Sequence, residues 1–507
     1  MVGCSAPYSA LHDALLSTEF AIAAQPRIRT LLALLCSVAG LWFGSLPARA
    51  ASFSITDVQV SHDSFAAHSE PAMAENPRNA NNLIAGSKFF TDPAHYQFKI
   101  GTFYTLDGGR SWHDVGLLPG FQAYSLTSDI SFAFSATGVA YACVLASDGA
   151  ASSGIFVSRS TDGGKTWSAP ATVSLDTSGA TFSDKPWIGI DRTKGPNRGT
   201  VYVAWNLDSN SDAKRHDPDA GDRAPGLLHN QQVAERQPVG LDVARSTDGG
   251  QTFSPPVVVS VFDNTHFALG AIPQVAPDGV VYVAFLSFVD TSSGATTNSI
   301  DLVSSQDGGV TFAPQRTIAP SIDGLPNHLS EGTFRNLSLP SFVVSPRDGS
   351  MVVAWADIRS GDADILASRS QDGGQTWTAP YRVNHDHVQN GKDQFQPELA
   401  VAPNGTYTCS WFDRRRDPAN QLIDVDIAQS VDGGLTFGHN VRVTQKSWDP
   451  AIDAPLPEGK SDNTFIGDYQ ALAVDNQTVH PLWNDTQNGR SQEIRSAVLS
   501  VRIFARR

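Results

Sequence analysis

Apolar and polar positions along the chain follow one pattern that returns several times. An apolar run is followed by a Gly turn and a second apolar run ending in Trp or Phe, as in "LPSFVVSPRDGSMVVAWAD" (339–357) and "PELAVAPNGTYTCSWFD" (397–413). A third run, such as "LIDVDIAQS" (422–430), and a short fourth run, such as "APYRVN" (379–384), complete the unit. Short β-branched and aromatic runs bounded by turn residues predict strands, so each unit predicts four of them in antiparallel order.

An eight-residue phrase of the form S/T-x-D-G-G-x-[ST]-[WF] lies between the third and fourth runs. Six copies occur, at 105–112, 160–167, 246–253, 305–312, 370–377 and 430–437. Asp before two glycines predicts a tight turn, because the carboxylate accepts hydrogen bonds from nearby amides and Gly adopts a positive φ. No copy places a base beside a nucleophile. We therefore interpret the phrase, and the aspartates at its centre, as structural: Asp107, Asp162, Asp248, Asp307, Asp372 and Asp432.

The repeated units predict a ring. Successive phrases lie 55 to 86 residues apart (Asp107 to Asp162, and Asp162 to Asp248), and four antiparallel strands in such a repeat are typical of a β-propeller blade. Residues 467–501 supply three strands of a seventh unit, and "SITDVQVS" (54–61) supplies its fourth. The sequence thus predicts an all-β, seven-bladed propeller over residues 51–507 whose N-terminal strand closes the last blade.

The phrase resembles the Asp-box, or bacterial neuraminidase repeat (BNR), of the sialidase-like β-propellers. The resemblance extends over most of the chain after residue 50, with six boxes. Sialidases have six blades, so a six-bladed ring is the alternative to the seven that the repeats predict.

The first fifty residues have the pattern of an export signal. Arg27 and Arg29 precede the apolar run "LLALLCSVAGLWFG" (31–44), and "ARA" (48–50) provides small residues for cleavage after Ala50. We expect a leader at 1–50 and a secreted or periplasmic protein without stable membrane insertion. The alternative is an N-terminal anchor, but the run is short for a bilayer.

Charge and cysteine content exclude several classes of function. The net charge of −15 at pH 7 gives no positive field to attract nucleic acid or an anionic membrane. Cys4 and Cys36 belong to the predicted leader, while Cys143 and Cys409 lie in apolar runs and predict two buried thiols. This excludes a disulfide scaffold and a CxxC metal or redox site.

Loop lengths predict where a site lies. Strand order places the boxes on one face of the disc and the longer loops (206–240, 317–338, 384–396 and 445–467) on the other. Irregular loops opposite uniform turns favour a site on this long-loop face. The candidates are polar residues that break the repeat: Lys185, Glu331, Arg335, Arg359, Gln394, Arg414, Arg415 and Tyr469. An Asp also recurs near the end of the second strand, which favours a turn role: Asp92, Asp148, Asp290, Asp357, Asp413 and Asp485.

The resemblance implies roles for some of these candidates. Sialidases hold the sugar carboxylate with three arginines and use a Tyr activated by a Glu, with an Asp as acid. The resemblance therefore implies that Tyr469 is the nucleophile, Glu331 its base and Asp92 or Asp413 the acid. Arginines suit a carboxylate, and the substrate-binding candidates are Arg335, Arg359, Arg414, Arg415, Lys185 and Gln394. The family's first arginine, in an Arg-Ile-Pro motif, has no counterpart after residue 50.

The resulting hypothesis is a sialidase-like exo-glycosidase, of the exo-α-sialidase type, acting on a carbohydrate or glycoconjugate without a cofactor. One alternative is a non-catalytic propeller that binds a glycan or a protein. Another is a polysaccharide lyase with a Tyr or His base and an Arg that neutralises a uronate. "HDH" (385–387) and "DPDAGD" (217–222) lack the spacing of a metal loop, so we expect no metal.

Overall fold

The computed structural model describes residues 53–148, 152–209, 239–263, 265–290, 296–326, 328–329, 332, 334–456 and 464–501. The predicted leader and the "DPDAGD" segment lie outside the described residues, and secretion stays a prediction. The described part of the chain contains 28 β-strands and a single 3-10 turn, Pro93–His95. None of its helices is long and apolar enough to cross a membrane.

Strands that follow one another in sequence pair antiparallel in groups of four, and each group is one blade. Blades 1 to 3 consist of β2 (Ala67–Glu75), β3 (Leu83–Asp92), β4 (Gln97–Thr105) and β5 (His113–Leu117); β6 (Leu126–Phe134), β7 (Ala140–Ser147), β8 (Ser153–Ser160) and β9 (Ala171–Asp176); β10 (Thr181–Ile190), β11 (Val201–Ser209), β12 (Gly240–Ser246) and β13 (Val257–Val261). Blades 4 to 6 consist of β14 (His266–Val275), β15 (Val281–Asp290), β16 (Thr296–Ser305) and β17 (Arg316–Ile322); β18 (Ser341–Val344), β19 (Met351–Asp357), β20 (Asp364–Ser370) and β21 (Tyr381–Arg382); β22 (Gln394–Val401), β23 (Tyr407–Asp413), β24 (Asp424–Ser430) and β25 (Val441–Arg442).

The seventh blade joins the two ends of the described chain. It consists of β26 (Ala471–Val474), β27 (Thr478–Asp485), β28 (Glu493–Val501) and β1 (Phe53–Gln59). β1 pairs antiparallel with β28, with Ile55 opposite Leu499. The predicted seven blades and the closing N-terminal strand are therefore confirmed, and closure leaves the ring no free sheet edge at this point.

Each box forms a turn stabilised within itself. In the second box, Asp162 Oδ1 accepts hydrogen bonds from the amides of Lys165 (3.1 Å) and Thr166 (3.0 Å), and Oδ2 accepts one from the Thr166 hydroxyl (2.6 Å). The Ser160 hydroxyl donates to Asp162 (2.8 Å) and accepts from the Gly164 amide (2.9 Å). In each of the other five boxes, the central aspartate likewise accepts a hydrogen bond from the amide of the residue three positions later: Asp107, Asp248, Asp307, Asp372 and Asp432.

The boxes also link neighbouring blades. Arg159, on the third strand of blade 2, donates to the carbonyl of Gly249 in the box of blade 3 (3.0 Å). Arg245 of blade 3 donates in the same way to Gly308 in the box of blade 4 (3.0 Å). A box thus holds the turn of its own blade and provides an acceptor for the blade before it.

Large aromatic side chains fill the space between sheets. Trp355, Trp411 and Trp483 lie on the second strands of blades 5 to 7 and are fully buried. The Nε1 of Trp411 donates to Asp413 at the end of the same strand (2.8 Å), and the other two have the same contact with Asp357 and Asp485. The second-strand aspartates of these blades therefore anchor core tryptophans. Cys143 and Cys409 are free and fully buried, and burial raises the pKa of both thiols.

The first strand of each blade lines the axis of the ring, where successive first strands contact one another. Several of these strands shift register by a β-bulge, for example between Ser69 and Ala72 in β2. At the bulge one residue has a positive φ: Glu70 (52°), Asp129 (50°), Lys185 (46°), Gly270 (71°) and Gln396 (49°). A bulge redirects a side chain, and a non-Gly residue in this conformation costs free energy that functional sites often tolerate.

Candidate functional site

The bulged first strands bring charged side chains together at the axis, on the long-loop face. The cluster, which we call the channel mouth, consists of Glu70, Lys88, Asp129, Lys185, Arg335, Gln396, Asp468 and Tyr469. Glu70, Asp129, Lys185 and Gln396 are the bulge residues of blades 1, 2, 3 and 6. Asp468 and Tyr469 lie three and two residues before β26 of blade 7, so blades 1, 2, 3, 6 and 7 contribute to the cluster. Arg335 comes from the segment before β18.

Asp468 is the centre of the ion pairs. Arg335 binds it through two nitrogens, Nε to Oδ1 (3.0 Å) and Nη2 to Oδ2 (2.6 Å). Lys185 Nζ binds Oδ2 (2.8 Å) and lies 3.5 Å from Asp129 Oδ1. Burial opposes ionisation, but Arg335 and Lys185 hold the pKa of Asp468 well below its usual range. Asp468 is therefore a carboxylate bound by two cations.

Glu70 and Lys88 form the second buried pair of the cluster. Lys88 Nζ lies 2.5 Å from Glu70 Oε2 and 4.6 Å from the centroid of the Phe98 ring. Burial raises the pKa of Glu70 to about 7, although Lys88 opposes the shift. Glu70 Oε1 also accepts a hydrogen bond from the Asp468 amide (3.3 Å), which connects the two pairs. A carboxyl with a pKa near neutrality can accept or donate a proton under physiological conditions.

Tyr469 faces a carboxylate and an aromatic ring. Its hydroxyl lies 3.3 Å from Asp129 Oδ1, and its ring meets that of Trp187 edge to face with centroids 5.5 Å apart. Burial, followed by the charges of Glu70, Asp129 and Asp468, raises the pKa of Tyr469 well above its usual value. The hydroxyl is thus protonated at neutral pH, and its proton has an acceptor within reach.

A cavity at the axis is lined by Trp187, Glu398, Asp468 and Tyr469 together with apolar atoms of β14 and residues 339–340. Burial raises the pKa of Glu398 to about 8, although a hydrogen bond with Ser341 opposes the shift. Glu398 therefore carries a proton at neutral pH. At about 10 Å³ the cavity has room for about one water molecule. Its lining combines an aromatic ring, a protonated carboxyl and a tyrosine that contacts a carboxylate, which are groups suited to proton transfer.

The structure brings some of the predicted site residues together and separates others. Tyr469, Arg335 and Lys185 lie in the channel mouth. Arg414 is fully buried, with its guanidinium carbon 5.1 Å from the Phe334 centroid. Glu331 lies outside the described residues.

Of the remaining predicted residues, Gln394 begins the first strand of blade 6, and the others lie on or beside second strands, one strand farther from the axis. Asp92, at the end of β3, is partly exposed and contacts His95 (2.7 Å). Asp413 is fully buried and binds Arg415 (2.5 Å), and Asp357 binds Arg359 in the same way (2.5 Å). The Gln394 side chain is held by polar neighbours of blade 6, among them Asn384 and Asp386.

Sequence reasoning missed Glu70, Lys88, Asp129, Trp187, Gln396, Glu398 and Asp468. One signal was present, because three bulge residues precede proline inside a first-strand run: "EP" (70–71), "KP" (185–186) and "QP" (396–397). A charged or amide side chain followed by proline interrupts an apolar strand and is compatible with a bulge. Among the described residues, no group of His, Cys, Asp and Glu has the geometry of a metal site.

Comparison with known proteins identifies the repeat. The BNR/Asp-box repeat family matches residues 158–169, which contain the second box. No curated protein matches the chain. Among solved structures, a Hadza microbial sialidase is 16% identical, over 86% of this chain and 66% of that one, with a TM-score of 0.42.

Two other solved structures are similar in the same range. A protein of unknown function from Dyadobacter fermentans is 15% identical over 88% of this chain and 99% of that one (TM-score 0.43). An α-L-arabinanase from Penicillium chrysogenum, complexed with arabinobiose, is 13% identical over 70% and 93% (TM-score 0.46). The chain spans slightly less than two thirds of the Hadza microbial sialidase. The matching repeat and the observed sheets confirm the resemblance to sialidase-like Asp-box propellers in repeat and fold.

Proposed function

We propose that this protein is a glycoside hydrolase whose reaction takes place at the channel mouth, with Tyr469 as nucleophile. The observation that carries the proposal is the contact between the Tyr469 hydroxyl and Asp129 Oδ1 (3.3 Å), in which both side chains are buried. A tyrosine is a poor nucleophile while it is protonated, and a neighbouring carboxylate that accepts the proton activates it. Sialidases show that tyrosine can replace the usual carboxylate in glycoside hydrolysis.

The proposed reaction has two steps. Tyr469 attacks the anomeric carbon and its proton passes to Asp129, while the bond to the leaving oxygen breaks and Glu398 protonates that oxygen. Water then attacks the same carbon and gives a proton to Glu398, and the released Tyr469 oxygen recovers its proton from Asp129. Lys185 and Lys88 lower the pKa of Asp129 against the effect of burial, so that the group beside the Tyr469 hydroxyl is an ionised carboxylate able to accept a proton. The raised pKa of Glu398 supports its role as acid.

Asp129 has the role of base, for which the resemblance suggested Glu331. Glu398 has the role of acid, for which the resemblance suggested Asp92 or Asp413. The support for these assignments is placement, since Asp129 contacts Tyr469 and Glu398 lines the same cavity. Asp92 and Asp413 lie on second strands, one strand farther from the axis. A sialidase-type specificity is a separate matter, because it depends on the carboxylate of the sugar.

The experiment is hydrolysis of a panel of 4-nitrophenyl glycosides and a sialoside by the parent protein and by Tyr469→Phe. We expect turnover by the parent and a loss of about 10²-fold or more in kcat in the variant. The control is Tyr407→Phe, which removes a buried hydroxyl that bonds Ser350 in the core (2.9 Å). This control should lower stability and keep turnover.

Each other outcome points to a different function. Equal turnover by the parent and Tyr469→Phe would exclude Tyr469 as the nucleophile. Products that absorb in the near ultraviolet from a uronate polymer would identify a lyase. Binding on a glycan array without turnover of any substrate would establish the non-catalytic alternative.

A further inference from the structure

Lys185 and Arg335, the cation pair of the channel mouth, already bind a carboxylate of the protein. Both Asp468 oxygens are bound, one by Arg335 Nε and the other by Arg335 Nη2 and Lys185 Nζ, at 2.6 to 3.0 Å. Paired contacts of an arginine with a carboxylate, reinforced by a lysine, are what an enzyme offers to an acidic substrate. Here the acidic group is internal, and Asp468 is 1% exposed.

Asp468 is held from the backbone as well as through its charge. Its amide donates to Glu70 Oε1 (3.3 Å), and the carbonyl of Gly467 accepts from Gln396 Nε2 (2.7 Å). Gly467 has a φ of 91° and lies so close to Glu70 that a Cβ would fall 2.9 Å from the Glu70 amide nitrogen. Displacing Asp468 would also move Tyr469, the next residue. The carboxylate is therefore part of the site's framework.

Charge balance opposes a second acid at this place. Three carboxyl groups (Glu70, Asp129 and Asp468) face three cations (Lys88, Lys185 and Arg335) in the cluster, and the carboxyl of Asp184, which interacts with Lys185 and Asp129, is a fourth. A substrate carboxylate would add an anion without a matching cation. An uncompensated buried charge is strongly unfavourable, because the free energy of removing it from water is not offset by an ion pair.

We infer that the channel mouth accepts a glycan whose reacting sugar carries no carboxylate, because Asp468 occupies the cation pair that such a group would bind. The inference rests on the proposed function and narrows its substrate to neutral sugars, in place of the sialic acid that the resemblance suggests. Trp187, whose ring contacts that of Tyr469, lines the same cavity and adds no cation for a substrate carboxylate.

The first test compares matched substrates with the parent protein. Aryl glucoside is paired with aryl glucuronide, and aryl galactoside with aryl galacturonide, with an aryl sialoside added. Pairs differ only in the carboxylate, so we expect kcat/KM for the neutral member of the preferred pair to exceed that of its acidic partner by about 10²-fold or more. Turnover of the sialoside or a uronide at an equal or higher rate would overturn the inference and leave the hydrolase proposal intact. Silence on every substrate would contradict the hydrolase proposal.

The second test needs no turnover. In Asp468→Ala the two cations lose their partner, and acetate should fill the space. We expect acetate to raise the midpoint of urea unfolding of this variant more than chloride at equal ionic strength does, with no such difference in the parent or in Asp468→Asn. Acetamide, a neutral ligand of the same shape, should have no effect.

An unchanged midpoint of folded Asp468→Ala in acetate would show that Lys185 and Arg335 do not form a carboxylate site and would overturn the inference. If Asp468→Ala does not fold, equilibrium binding to the parent decides. Methyl glycosides of neutral sugars should then bind more tightly than N-acetylneuraminic acid and glucuronic acid, and tighter binding of either acid would overturn the inference.

Discussion

Aspartates do different work on the two faces of this propeller. In a box, Asp248 takes its hydrogen bonds from residues at most four positions away, including the Thr252 hydroxyl (2.6 Å). At the channel mouth, Asp468 is bound by Lys185 and Arg335, which lie 283 and 133 residues away along the chain. Local partners form wherever the phrase occurs, whereas distant partners meet only when the ring is closed. The boxes therefore build the blades, and the channel mouth depends on all of them.

The pKa values of the carboxyl groups also differ between the box face and the axis. Partial burial opposes ionisation of Asp432 in the sixth box, yet the hydroxyls of Thr436 and Ser430 lower its pKa to about 2. At the axis, burial raises the pKa of Glu70 to about 7 even though Lys88 is beside it. Carboxyl groups on the box face are thus fixed as anions, as Asp468 is at the axis, whereas Glu70 at the axis can hold or release a proton near neutral pH. A pKa near neutrality suits Glu70 to both donate and accept a proton.

The largest expected effect is a loss of kcat when an aspartate at the channel mouth is replaced by asparagine. The same replacement in a box should not have this effect. Asp129→Asn keeps the shape of the side chain but removes the acceptor of the Tyr469 proton. We expect kcat to fall by about 10²–10⁴-fold, the usual contribution of a general base. The fall should appear in single-turnover measurements, which report the chemical step.

The same change in a box is the control for this prediction. Asp248→Asn removes a carboxylate that accepts from Thr252 and Ser246. It should lower the free energy of unfolding by about 1–3 kcal/mol and leave kcat unchanged. A loss of turnover in Asp248→Asn equal to that in Asp129→Asn would show that the two faces are not separate in function.

The next effect concerns stability and the buried ion pairs. Lys185→Met leaves Asp468 and Asp129 with one cation fewer in a buried site. Breaking a buried pair by removing one partner typically costs about 3–5 kcal/mol, and we expect a loss of this size in urea unfolding. Arg245→Met is the matched change at a box, where the cation bonds the carbonyl of Gly308. It should cost about 1 kcal/mol, the scale of a single hydrogen bond, and an equal loss in both variants would contradict the comparison.

The same contrast explains what could be predicted from the sequence. Box turns, strand runs and the closing strand depend on neighbours in the chain, so their pattern is visible in the letters; residues 54–61 were predicted as the closing strand and β1 is Phe53–Gln59. Tyr469, Arg335 and Lys185 were predicted because they interrupt the repeat. The partners of these residues were not, since Glu70 meets the Asp468 amide across 398 positions. Bulges add to the difficulty, because one extra residue reverses the side of the strand on which a side chain lies.

The smallest effect is a pH dependence that has opposite signs on the two faces. Glu398 has a folded pKa of about 8, raised by burial above its ordinary value. Between that ordinary value, near pH 4.3 in an unfolded chain, and pH 8, the folded state holds a proton that the unfolded state releases. Stability therefore falls as the pH rises through this window, by at most about 1.4 kcal/mol per pH unit for one group. For Asp432, with a folded pKa of about 2, stability is instead lost as the pH falls from about 4 towards 2.

Urea unfolding at a series of pH values tests both signs with two variants. Glu398→Gln should flatten the dependence between pH 5 and 8 and leave the acid limb unchanged, while Asp432→Asn should do the reverse. Because other buried carboxyls, such as Glu70 and Asp242, have raised pKa values of about 7, the relevant quantity is the difference between the parent and each variant. If Glu398→Gln altered only the acid limb, Glu398 would be ionised at neutral pH. It could not then serve as the acid of the proposed reaction, and the proton for the leaving oxygen would have to come from Glu70, the other carboxyl of the axis whose pKa lies near neutrality.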